Sequence, residues 1–256
     1  MSLFRLMIAA LSLFGLASCF QVENTISVNK DGSGTITETM LFGDQMKMML
    51  DMAAAQGGGN AKDPFAEMKK NAAGRAKKLG EGVEFVSAER IDEGGKLGMK
   101  IVYKFSDINK LKYSVNTDVG MNGGAPADKQ DEQDNMTFKL EGDKLTILQK
   151  HPDEDKAAEA LPEELAPQML AMMQGMMKDM RVTTKIKIES GIAKTDATHV
   201  DGDVITIADI QMGNVVSDPE KLKAIQSGDF DKIKEAMEGV DGVKFEDKES
   251  VSVQMK

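Results

Sequence analysis

The chain has 256 residues, with 32 lysines and arginines against 42 aspartates and glutamates, a formal net charge of −10 and 20 methionines. A balance this acidic gains nothing from counterion release on a phosphate backbone, which argues against nucleic acid as a partner, and no polybasic stretch grips anionic lipid. One cysteine rules out an intrachain disulfide framework, and two histidines, His151 and His199, make a poor basis for a catalytic triad.

In chain order, Arg5 stands ahead of an uncharged apolar run from Leu6 to Leu16, and Leu16-Ala17-Ser18-Cys19 closes it. Charged, apolar and small residues in that order are the layout of a secretory signal. The ending resembles a bacterial lipobox, which implies export, removal of residues 1–18 as a signal peptide, and acylation (palmitate-type) of Cys19, the lipidation site. The competing reading is an uncleaved span, which needs about 20 apolar residues; the segment Leu3–Phe20 has 18. In both cases positive charge precedes the segment and none follows it, so the rest of the chain belongs outside the cytoplasm. Cleavage would take Arg5 away and leave 238 residues with 31 basic and 42 acidic groups, a net charge of −11. Attachment would then rest on the lipid itself, and stable anchoring takes two or more acyl chains. The partner implied is the membrane, through Cys19, at the periplasmic or another extracytoplasmic face. Phe20 rather than aspartate follows Cys19, which is compatible with outer-membrane sorting and does not settle inner against outer.

Beyond the cysteine, Val22, Ile26 and Val28 begin a strand-like alternation. At about 3.3 Å per extended residue, the fold should start about 10 Å from the lipid attachment, holding the domain of residues 19–256 close against the bilayer. Gln21–Val28 and Thr35–Phe42 read as a hairpin around the turn formers Asn29 to Gly34. Residues 44–55 switch to helical spacing, with Met48, Met49, Met52 and Ala53 on one side. Asp63-Pro64 then opens a helix with an apolar stripe of Phe65, Met68, Ala72 and Leu79. Val83–Arg90 with Leu97–Phe105 form a second hairpin, and Met136–Leu140 with Leu145–Ile147 a third, turned by Glu141-Gly142-Asp143. The polar stretch 117–134 between them reads as a loop, and residues 150–160 as a division between two lobes. After a helical stretch at 162–180 come strands at 182–188, 192–197 and 203–208. Helices follow, opened by Asp218-Pro219 and lined by Phe230, Ile233 and Met237, before a last strand from Val243 to Met255. Hairpins interrupted by helices predict an α+β fold with a largely antiparallel sheet and the amphipathic, methionine-rich helices on one face.

The methionines are the main candidates for function. On a helical wheel Leu165, Met169, Leu170, Met172, Met173, Met176, Met177 and Met180 fall on one side and polar residues on the other. Such a stripe can be core packed on the sheet, or a deformable groove for an apolar ligand, a lipid tail or a partner helix. A third reading is a Cu(I) site of thioethers such as Met169, Met173 and Met176, although the stretch offers no histidine or cysteine beside them. No cofactor is called for.

Residues 29–34 look partly like a calcium loop, but the twelfth position is Met40 rather than a bidentate glutamate, so this segment reads as a turn, as do Asp196, Asp201 and Asp203. The sequence holds no G-x-S-x-G elbow, H-E-x-x-H or P-loop, and no catalytic residue or enzyme activity is expected.

The run of Cys19, Ile26-Ser27-Val28, Gly32, Gly34 and Thr35-Ile36 resembles the start of LppM-type bacterial lipoproteins, over about a tenth of the chain. That resemblance implies a membrane-proximal α+β domain without known catalytic activity and able to contact lipid, with Cys19 the one functional residue carried over. The methionine-rich helices and the preference for lysine over arginine depart from it. The expectation is therefore a lipid-anchored, non-enzymatic binding or structural module of the cell envelope, with an apolar-ligand or lipid-binding domain and a Cu(I)-binding lipoprotein as alternatives.

Overall fold

The computed structural model describes residues 20–43, 64–93, 96–114, 135–150, 174–175, 177–227 and 230–256. Strand β1 (Phe20–Val28) pairs along its whole length with β2 (Gly34–Phe42), with Ile26 opposite Ile36 and Phe20 opposite Phe42. Alternation fixes the register: Val22, Ile26 and Val28 are buried, while Glu23 is exposed and Thr25 and Ser27 half-exposed. The turn closes as its composition predicts. Gly32 takes a φ of 83°, and the Asp31 carboxylate accepts from the backbone N–H and the hydroxyl of Ser33 at 3.0 and 2.6 Å. Those two hydrogen bonds from Ser33 hold the Asp31 carboxyl below its usual range. The partial calcium pattern is thus spent on the turn itself.

Helix α1 (Pro64–Arg75) lays Phe65 and Ala72 into the core, with Leu79 following, as its stripe predicts. Next come β3 (Val83–Glu93) and β4 (Lys96–Phe105), the second hairpin. A 3-10 turn at Ile108–Lys110 and β5 (Lys112–Ser114) follow, and β6 (Asn135–Glu141) and β7 (Lys144–Leu148) form the third hairpin. Strands β8 (Met180–Ile188), β9 (Ile192–Thr195), β10 (Val200–Asp201) and β11 (Val204–Gln211) lead to helices α2 (Met212–Val216), α3 (Pro219–Ser227) and α4 (Phe230–Met237). Asp218 caps α3 by accepting from the Glu220 N–H at 3.0 Å. The chain ends with β12 (Val243–Phe245) and β13 (Ser250–Met255).

The strands form two sheets. One runs β10-β11-β8-β1-β2-β4-β3, with β12 added to β11; the other runs β5-β6-β7-β13-β9. Pairing is antiparallel throughout except between β1 and β8, which run parallel with Phe20 beside Met180 and Ile26 beside Ile186. The fold is α+β, as expected. Ile26, Val28, Ile36 and Ile186 from the first sheet, Leu145, Ile147, Val251 and Val253 from the second, and Phe65, Ala72 and Leu79 share one buried cluster. The opposite side of the large sheet is a polar surface of Thr25, Thr37, Lys185 and Lys187, none of them buried.

Three readings of the sequence change. The final strand splits, because β12 joins the large sheet and β13 the small one. Between them Glu246, 2% exposed, accepts from the N–H and hydroxyl of Thr198 at 2.6 and 2.9 Å, and this buried anchor redirects the chain. Met180 does not belong to a helical stripe; it is buried and opens β8, where strand pairing with Phe20 overrides the 3.6-residue periodicity. The first strand starts at Phe20, earlier than the alternation suggested, and β2 and β8 flank it along its full length. Residues 151–160, the expected division between lobes, lie outside the described residues. Strands from both sides of that interval meet in both sheets, β1 with β8 and β7 with β13.

Candidate functional site

A polar row interrupts the apolar inner face of the large sheet. Along β1 and β2 the inward positions run Val22, Asn24, Ile26 and Ile36, Glu38, Met40, and register sets Asn24 between Glu38 and Thr184. Asn24, Glu38 and Thr184 are 1%, 3% and 0% exposed. A bare carboxylate at that depth would be costly, and the fold supplies three donors. Arg75, at the last turn of α1, donates Nη1 to Oε2 at 2.7 Å and Nη2 to Oε1 at 2.9 Å. The Tyr113 hydroxyl donates to Oε1 at 3.2 Å. Because Glu38 belongs to the large sheet, Arg75 to the helix and Tyr113 to the small sheet, one carboxylate ties three elements together. Bidentate geometry of this kind fixes direction as well as energy.

The electrostatics follow from that geometry. Burial works against the charge on Arg75, but the neighbouring Glu38 carboxylate outweighs it and raises the guanidinium above its ordinary value. Burial first, then the charge of Glu38, pushes the Tyr113 hydroxyl well above its ordinary range. With all three donors engaged, the arrangement is built to hold elements together rather than to exchange protons. The row also carries unclaimed polarity, since Asn24 Nδ2 and Thr184 Oγ1 find no hydrogen-bond partner among the described residues. A second bidentate pair lies between β8 and β11, where Arg181 donates to both Asp209 oxygens at 2.7 Å. Burial alone would raise the Asp209 carboxyl, but the hydrogen bonds and charge of Arg181 outweigh it and lower it.

Tyr113 gives a measurable consequence. An unfolded tyrosine ionises near pH 10, whereas the folded hydroxyl keeps its proton well above that. The stabilisation is therefore complete below about pH 10 and is lost as the pH rises through the folded value. The chain has two tyrosines and no tryptophan, so in a Tyr103→Phe variant tyrosinate absorbance reports Tyr113 alone. Its appearance is expected to coincide with loss of the circular-dichroism signal of the sheets. Ionisation with the sheets intact would show the hydroxyl to be accessible.

Of the residues singled out from sequence, Cys19, His151, Met169, Met172, Met173 and Met176 lie outside the described residues, as do Met46 to Met52 and residues 117–134. Met177 is half-buried and Met180 buried. His199 sits at the edge of β10, with its carbonyl accepting from Thr206. Asp196 accepts from the Ser252 N–H at 2.7 Å and Asp203 from the Ile192 N–H at 3.2 Å, so each serves the backbone near it. Among the described residues no group of three or more His, Cys, Asp or Glu side chains is arranged to hold a metal ion, and no helix is long and apolar enough to cross a membrane. Sequence reasoning missed Glu38, Arg75 and Tyr113. A signal existed: a glutamate at an inward position between Ile36 and Met40, beside an asparagine likewise placed between Val22 and Ile26.

By architecture this is an α+β protein of two sheets, with a buried carboxylate of the large sheet paired to helix α1 and hydrogen-bonded to the small sheet. Comparison with known proteins adds little to that class. No family model matches the chain, and no curated protein matches it either. Among solved structures, the folded domain of the Mycobacterium tuberculosis LppM protein, determined by NMR, is similar over 95% of this chain and 93% of that one. The TM-score is 0.36 and the identity 10%.

Proposed function

We propose that the chain is a lipid-anchored protein of the bacterial cell envelope, a non-enzymatic binding or structural module held directly against the membrane by acylated Cys19. The carrying observation is the junction between Leu16-Ala17-Ser18-Cys19 and the fold. Phe20, the next residue, already belongs to β1, and β1 is an interior strand flanked by β2 and β8. An interior strand paired along its length cannot fray into a tether without breaking the large sheet, so lipid on Cys19 would leave the domain no reach across the envelope. The chain would serve at the surface that holds it.

The test is expression in a bacterial host of the full chain and of Cys19→Ser. The native protein should sediment with membranes and carry a diacylglycerol-type mass increment on an N-terminal Cys19. The Cys19→Ser variant should be uncleaved by the lipoprotein signal peptidase and carry no lipid. Recovery of the intact native chain with residues 2–18 present and no acyl mass would end the proposal.

A further inference from the structure

Register brings together three features that the sequence scatters. Phe20 pairs with Phe42 on one side and with Met180 on the other, so all three lie in one row at one end of the large sheet. Leu97 of β4 extends the row opposite Phe42. Cys19 precedes Phe20 directly. The first methionine-rich stretch, 46–52, begins four residues after Phe42, and the second, which starts at Met169, runs into Met180. The lipobox cysteine and both methionine-rich stretches therefore join the fold at the same edge. Past Leu97 the row ends on the exposed Asp92 of the edge strand β3, three strands away from Phe20, while the part nearest Cys19 is aromatic and apolar. The rings of Phe20 and Phe42 lie 5.6 Å apart and those of Phe42 and Phe65 6.2 Å apart, with the Arg90 guanidinium 4.9 Å from the Phe65 centroid.

At the other end of the same strands the charge lies on the β1–β2 connection itself. There the β1–β2 turn presents Lys30, whose Nζ lies 3.3 Å from Asp143 of the β6–β7 turn and donates to the backbone oxygen of Lys256 at 3.0 Å. Lys30 and Asp143 are half-exposed, and pressing that end against lipid would strip water from charged groups. We infer that the end of the large sheet bearing Phe20, Phe42, Leu97 and Met180 faces the bilayer, with the strands standing away from it and the Lys30–Asp143 end pointing into the aqueous space. This orientation rests on the lipid-anchored reading and adds to it the face that meets the membrane.

The absence of tryptophan makes the test direct, since one introduced tryptophan is the only energy-transfer donor of its kind. From Gly34 to Phe42 an extended strand covers about 26 Å, enough for transfer to a dansyl-labelled headgroup to differ sharply between the two ends. The lipidated full chain would be reconstituted into vesicles of phosphatidylethanolamine and phosphatidylglycerol carrying that probe, as Phe42→Trp and as Lys144→Trp. Lys144 is exposed beside the Asp143 turn. Leu41→Trp, on the other face of β2 at the same end, is the second reporter should Phe42→Trp disturb the aromatic cluster. Transfer from position 42 or 41 should exceed that from 144 several-fold. Protein that floats with the vesicles yet transfers equally from both ends, or more from 144, overturns the orientation while leaving the anchor intact. Native protein that fails to float overturns the anchored reading and the orientation with it.

Discussion

Replacing Arg75 with methionine is expected to lower the free energy of unfolding by about 3–5 kcal/mol, the usual consequence of breaking one side of a buried ion pair. Loss of a hydrogen bond alone would cost only about 0.5–1.5 kcal/mol. The larger figure applies because Glu38, 3% exposed, would be left buried with Tyr113 as its one remaining donor among those described. Replacing the set together separates the two effects. In Arg75→Met/Glu38→Met/Tyr113→Phe neither the two charges nor the hydroxyl of that set remains, and well-packed apolar substitutes for a buried pair are often neutral or stabilising. Urea denaturation should therefore find the triple variant more stable than Arg75→Met alone. If the single substitution costs less than about 1 kcal/mol, the tie between helix and sheets is not what holds them.

Ile26→Ala should be comparably damaging, at about 2–5 kcal/mol. Ile26 is fully buried, its strand is flanked on both sides, and its row continues through Ile36 and Tyr103 one way and through Ile186 and Ile205 the other. A methyl in its place leaves a cavity that two paired neighbours cannot collapse into without breaking backbone hydrogen bonds. Thr25→Ala is the matched control. It sits one residue away on the polar face, opposite Thr37 and Lys185, where cross-strand pairs contribute about 0.2–1 kcal/mol. Equal losses at positions 25 and 26 in equilibrium unfolding would mean that the two faces of β1 are not distinguished as the register requires.

Stability and the proposed location are coupled through the same strand. Ile26 and Glu38 hold β1 and β2 in the middle of the large sheet, and β1 begins beside Cys19. A variant that loosens this region should thus also lengthen the effective tether, without touching the lipidation site. Limited proteolysis of the membrane-bound chain would register that as new cleavage between Phe20 and Val28.

The sequence by itself determined the local elements, and for a physical reason. Hairpins at 20–42, 83–105 and 135–148 arise from period-two alternation closed by glycine-containing turns, and helix α1 from a 3.6-residue stripe behind Pro64; both signals are complete within a few residues. Glu38 and Asn24 were legible as polar residues on inward positions, but not their partners. Arg75 and Tyr113 lie 37 and 75 positions from Glu38, and no local pattern ranks one distant donor above another. Tertiary structure alone decided that β1 runs parallel to β8, that β13 leaves β12 to join β7 and β9, and that Met180 is strand rather than helix. Those choices depend on which assembled surfaces exclude the most water while the buried carboxylates Glu38 and Glu246 find their donors, a property of the completed sheets and of no single segment.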